Sequence, residues 1–186
     1  HDVAFTAWNG FAEPLRATWT GPGSPEVNVE VWYPPEFERS AREALQATTD
    51  ALAYFSRTLG PYPYPHLTVL VPPFNAAEAG GMEYETFITT IGSNEFPMNA
   101  EGITRSTTVH EFGHGYFMGI LASNEFEEPF LDEGMVQLWS ARMLAAEGYQ
   151  LRLPALARWM GFRLPRLDAW DMERGPGTSR HQADPI

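Results

Sequence analysis

The segment His110-Glu111-Phe112-Gly113-His114 constrains this chain more than any other part of it. Two histidines four residues apart on an α-helix differ by about 400° of rotation, so both imidazoles leave one face, a turn apart. Downstream, Leu131-Asp132-Glu133-Gly134-Met135 supplies Glu133 as a third candidate ligand. Neutral imidazoles suit zinc. A structural zinc site takes a fourth protein ligand, whereas a catalytic one takes three and keeps a position for water. His110, His114 and Glu133 are therefore expected to hold one Zn2+ per chain in an open site. Glu111 follows His110 directly, points off the ligand axis and is free to act as general base on the bound water. That is hydrolytic chemistry. A solitary His-Glu-x-x-His also occurs on helices whose histidines only pack or face solvent, so its surroundings decide between the two.

Eighteen residues separate His114 from Glu133, and Gly80-Gly81-Met82-Glu83-Tyr84 lies upstream. The first pattern, HExxH-x18-E, resembles that of the gluzincin metallopeptidases. The second resembles the GxMEN segment of the zinc aminopeptidase family that includes aminopeptidase N and leukotriene hydrolase. The resemblance is densest from Pro72 to Ala141. It implies the N-terminal lobe of a thermolysin-like catalytic domain, with a peptide carrying a free N-terminal amine as substrate. Glu83 would bind that amine, which makes the activity that of an exopeptidase. The backbone of Gly80, Gly81 and Met82 would lie along the substrate, where glycine permits close approach.

Two departures from the family pattern stand out. Tyr84 replaces the usual asparagine. The family's oxyanion-stabilising tyrosine has no match, because the 53 residues after Glu133 contain only Tyr149, too near in sequence. Tyr116, on the metal helix, is expected to pack. The helical lobe that follows in the family is also missing, so the expectation is a weakly active fragment that self-associates through the helix faces left uncovered. Three rival readings follow: a non-catalytic zinc- or peptide-binding relative, a thermolysin-like endopeptidase, which Glu83 opposes, and hydrolysis of a non-peptide substrate, which nothing in the sequence favours.

A net charge of −12 argues against nucleic acid, since phosphates would meet no basic stripe. No apolar run reaches the roughly 18 residues of a membrane span. The absence of cysteine excludes disulfides and thiolate ligands together and leaves the compartment open.

Along the chain, residues 3–8, 15–20 and 27–33 alternate as strands, giving a β-rich region over 1–35. Residues 36–59 carry a 3.6-residue apolar stripe ended by Gly60-Pro61, which predicts a long helix lying on the sheet. Residues 67–71 suit an interior strand, and residues 84–91, rich in threonine, an edge strand facing a cleft; the second β-rich region is 67–92. His66 reads as a surface or hydrogen-bonded side chain rather than a ligand. The metal-binding helices are expected over about 104–147, with Thr104 as N-cap of the first and residues 130–147 as the second. Gly113 and Gly115 inside the first helix suggest close approach of another backbone segment. Residues 150–186 are expected to form a short helix interrupted by Pro154, then loop. The fold class expected for 1–186 is α+β, a mixed β-sheet backed by helices.

Overall fold

Val27, Val29 and Val31 are buried while Asn28, Glu30 and Trp32, which alternate with them, are not, and this period of two creates a strand with one face turned inward. The computed structural model describes residues 3–93, 102–124 and 126–149. Among these, β1 (Leu15–Trp19), β2 (Val27–Trp32), β3 (His66–Leu70), β4 (Met82–Tyr84) and β5 (Phe87–Thr89) form one sheet in the order β1-β2-β3-β5-β4. Strands β2, β3 and β5 run parallel to their neighbours in that series, and antiparallel β1 and β4 close the two ends. The fold is α+β with a mixed sheet.

The helices are α1 (Glu38–Thr58), α2 (Ile103–His114) and α3 (Met135–Ala146). Helix α1 supplies the crossover that parallel β2 and β3 require. Its inward stripe is small, with Ala41, Ala44, Ala47 and Ala51 at zero exposure, so its backbone lies close to the valines of the sheet. Phe55 fills the remaining space against Phe112 of α2, ring centroids 5.5 Å apart. Burying one such aromatic contributes about 1.5–3 kcal/mol by area alone. Tyr62 also stacks on Phe112, ring centroids 5.6 Å apart, so the core fixes the rotation of α2 about its axis and thereby the direction of its histidines.

Several expectations need correction. Residues 3–8 form no strand: Val3 and Phe5 are exposed, so their alternation marks no buried face, while Trp8 packs edge-on against Phe11 and Phe11 against Trp32. The run 84–91 is split by a turn in which Thr86 takes φ 56°, so β4 is the edge and β5 lies inside, between β3 and β4. Its threonines are polar for another reason. Thr89 donates to the Ala79 carbonyl at 2.6 Å, and Thr90 shares a 2.8 Å hydrogen bond with Thr108, pinning the sheet to α2. Thr104 caps nothing: its hydroxyl donates to the Ile91 carbonyl at 2.7 Å, and Gly102, with φ 91°, occupies the N-cap.

Gly113 meets side chains, not backbone, since a Cβ there would lie 3.1 Å from Cγ1 of Val136, while none comes nearer than 4.0 Å at Gly115. The segment 150–186 and the loop 94–101 lie outside the described residues. Among the described residues no helix is long and apolar enough to cross a membrane.

Candidate metal centre

Helix α2 ends at His114 and continues into a wider turn, Gly115–Ile120, where the Leu121 amide donates to the Tyr116 carbonyl five residues back. A second wide turn, Phe130–Gly134, leads into α3. Such turns are uncommon and gather at functional sites. Here they flank the candidate ligands. Gly113 lets Val136 approach α2, and this contact carries the turn holding Glu133 to the two histidines.

The three donors lie at the corners of one triangle. His110 Nε2 is 3.3 Å from His114 Nε2 and 3.2 Å from Glu133 Oε2, and His114 Nε2 is 3.8 Å from that oxygen. A tetrahedral zinc with ligand bonds of about 2.0–2.2 Å has edges of about 3.3–3.6 Å between its ligands. The donor set and its spacing fit such an ion. Glu133 is half-exposed, which leaves one side of the triangle open. Its carboxyl is held below the usual carboxylate range, chiefly by the hydrogen bond from His110, with burial acting the other way.

Behind His114 stands Asp132, at zero exposure, with Oδ1 2.7 Å from His114 Nδ1. A carboxylate there accepts the Nδ1 proton and leaves the Nε2 lone pair free to face the triangle. The sequence reading gave Asp132 no role. The available signal was its place next to a ligand, since a turn that aims Glu133 at His110 aims its neighbour as well.

Glu83 on edge strand β4 and Glu111 on α2 both approach His114, the ligand atoms of these three lying within 4.8 Å of one another. Glu111 is only 5% exposed. Two glycines allow this approach. A Cβ at Gly80 would stand 2.9 Å from the Thr90 carbonyl oxygen, and Gly81 has φ 77° with its Cβ position 3.4 Å from Glu111 Oε1. Met82 is exposed beside them. The structure thus brings His110, His114, Glu133, Glu111, Glu83 and Gly81 to one locality. His66 lies elsewhere, bonded to Thr86 at 3.0 Å.

Tyr116 and Tyr149 are engaged elsewhere. Tyr116 is buried, its hydroxyl donating to the Gly60 carbonyl at 3.1 Å and lying 3.2 Å from Ser56 Oγ. Tyr149 donates to Glu43 at 2.6 Å.

No family model matches the chain, and no curated protein matches it. Among solved structures, that of Legionella pneumophila aminopeptidase A in complex with aspartic acid is similar, with a TM-score of 0.56 and 18% identity over 70% of this chain. The matched part is 16% of the length of that protein. At this identity the likeness is one of fold: the chain shares its fold with part of an aminopeptidase.

Proposed function

We propose that this chain carries the metal centre of a zinc-dependent aminopeptidase, in a thermolysin-like lobe that removes N-terminal residues from peptides. The observation that supports it best is the convergence of two carboxylates, Glu83 and Glu111, on a triangle of donors with tetrahedral spacing. His110, His114 and Glu133 would hold Zn2+, which when bound activates water and polarises a carbonyl. Glu111 would take a proton from the attacking water and deliver it to the leaving amine, a contribution of roughly 10²–10⁴-fold. Glu83 would receive the substrate's ammonium group and so align the first peptide bond with Glu111. Gly80, Gly81 and Met82 lie along the substrate backbone at the sheet edge.

The test is cleavage of a peptide with a free N-terminus beside its N-acetylated form. The free peptide should be cleaved and the acetylated one ignored, and Glu83→Ala should raise KM and lower kcat together, because one contact both binds and positions. Comparable cleavage of both peptides would favour an endopeptidase instead.

A further inference from the structure

We propose that Asn9 is a site of spontaneous covalent modification, at which the amide nitrogen of Gly10 displaces ammonia from the Asn9 side chain and leaves an isoaspartyl linkage. Asn9 is exposed and forms a turn with Gly10. Among the described residues neither the Asn9 side chain nor the Gly10 amide has a hydrogen-bond partner. The nitrogen is therefore free to turn toward Cγ of Asn9, and with no Cβ on Gly10 nothing on that residue crowds its approach. The other described asparagines are kept from this chemistry. Asn28 precedes β-branched Val29 in a strand bordered on both sides, by β1 and β3. Asn75 precedes Ala76, whose amide donates to the Pro73 carbonyl at 2.8 Å. Asn124 turns its Oδ1 to the Phe126 amide at 3.2 Å.

Packing accounts for the glycine. A Cβ at Gly10 would lie 2.3 Å from Cζ2 of Trp8, so a larger residue would push the indole off this turn. Trp8 meets Phe11, ring centroids 5.1 Å apart, and Phe11 meets Trp32 at 5.9 Å, which seats the segment on the sheet face opposite the buried valines. The residue that admits the indole is thus the one that opens Asn9 to attack. The reaction needs only water and hydroxide. Hydroxide removes the Gly10 amide proton, the bond from that nitrogen to Cγ forms, and the Cγ–Nδ2 bond breaks, with Nδ2 leaving as ammonia after taking a proton from water. Water then opens the five-membered ring at either carbonyl, giving aspartate or isoaspartate. Both products add one negative charge. The isoaspartyl form also adds a carbon–carbon bond, about 1.5 Å, to the backbone between Trp8 and Phe11, which loosens their seat on Trp32.

The experiment ages the 186-residue chain in mildly alkaline buffer, folded and in urea, and locates the products by peptide mass spectrometry and by enzymatic methyl labelling of isoaspartyl carboxyls. In the folded chain Asn9 should react at least about tenfold faster than Asn28 and Asn75, and within about tenfold of its own rate in urea. Asn9→Gln should give no isoaspartate at position 9 over the same period. In the isoaspartyl form the indole N–H resonances of Trp8 and Trp32 should move, while that of Trp139 on α3 stays. The proposal is overturned if Asn9 reacts only in urea, if Asn28 or Asn75 keeps pace with it in the folded chain, or if the Trp8 and Trp32 resonances do not move.

Discussion

Asp132 and His114 are both sealed from solvent, and a 2.7 Å hydrogen bond joins Oδ1 of one to Nδ1 of the other. This pair fixes which nitrogen of His114 faces the candidate metal. Its cost is a buried carboxylate whose Oδ2 has no hydrogen-bond partner among the described residues. A site that needed His114 only for packing would gain nothing by keeping that charge dry.

Asp132→Ala should therefore lower zinc affinity roughly 10- to 100-fold while leaving about one zinc per chain at saturation. Competition with a coloured chelator measures the affinity, and metal analysis at excess zinc gives the stoichiometry. Unchanged affinity would reduce the pair to a structural contact.

Glu111→Gln should keep zinc and lose most hydrolysis, since the amide fills the same space and cannot accept the proton. The loss in kcat on an aminoacyl arylamide should be at least about 10²-fold. A variant retaining more than about a tenth of the turnover would show that Glu111 is not the base.

Gly81→Ala tests how tightly the sheet edge is tied to the site. With φ 77° and Glu111 Oε1 3.4 Å from the new methyl, alanine gains little space and a strained backbone. Left-handed backbone costs an L-residue roughly 1–2 kcal/mol, and the stiffer unfolded chain returns about 0.4–1 kcal/mol, so a net loss of about 1 kcal/mol is expected. In a domain of this size Tm should fall by about 2–4 °C. A rise in Tm would mean that Gly81 is not held in this conformation.

Much of this arrangement was legible from local rules. The 3.6-residue stripe over 36–59 is α1, and the alternation over 27–33 is β2, because each pattern matches the geometry of a single element. What escaped depended on contacts between elements. Threonine suggests an exposed edge when only the strand is considered, but Thr89 and Thr90 are buried because Ala79 and Thr108, far away in sequence, accept or share their hydroxyls. Thr104 looks like a cap until the Ile91 carbonyl is seen beside it. Gly113 signals close packing, but only the fold reveals Val136 as the neighbour. The candidate site was more legible than the fold around it, since the histidine spacing is set within one helix. The role of Asp132 was not, because it requires knowing how the second wide turn lies against the first helix.

The central claim is that His110, His114 and Glu133 together hold zinc, and metal content per chain tests it most directly. Protein purified without added metal, unvaried and as His114→Ala and Glu133→Ala, would be compared by elemental analysis. The account predicts about one zinc per chain in the unvaried protein and far less in both variants; equal zinc in all three would contradict it.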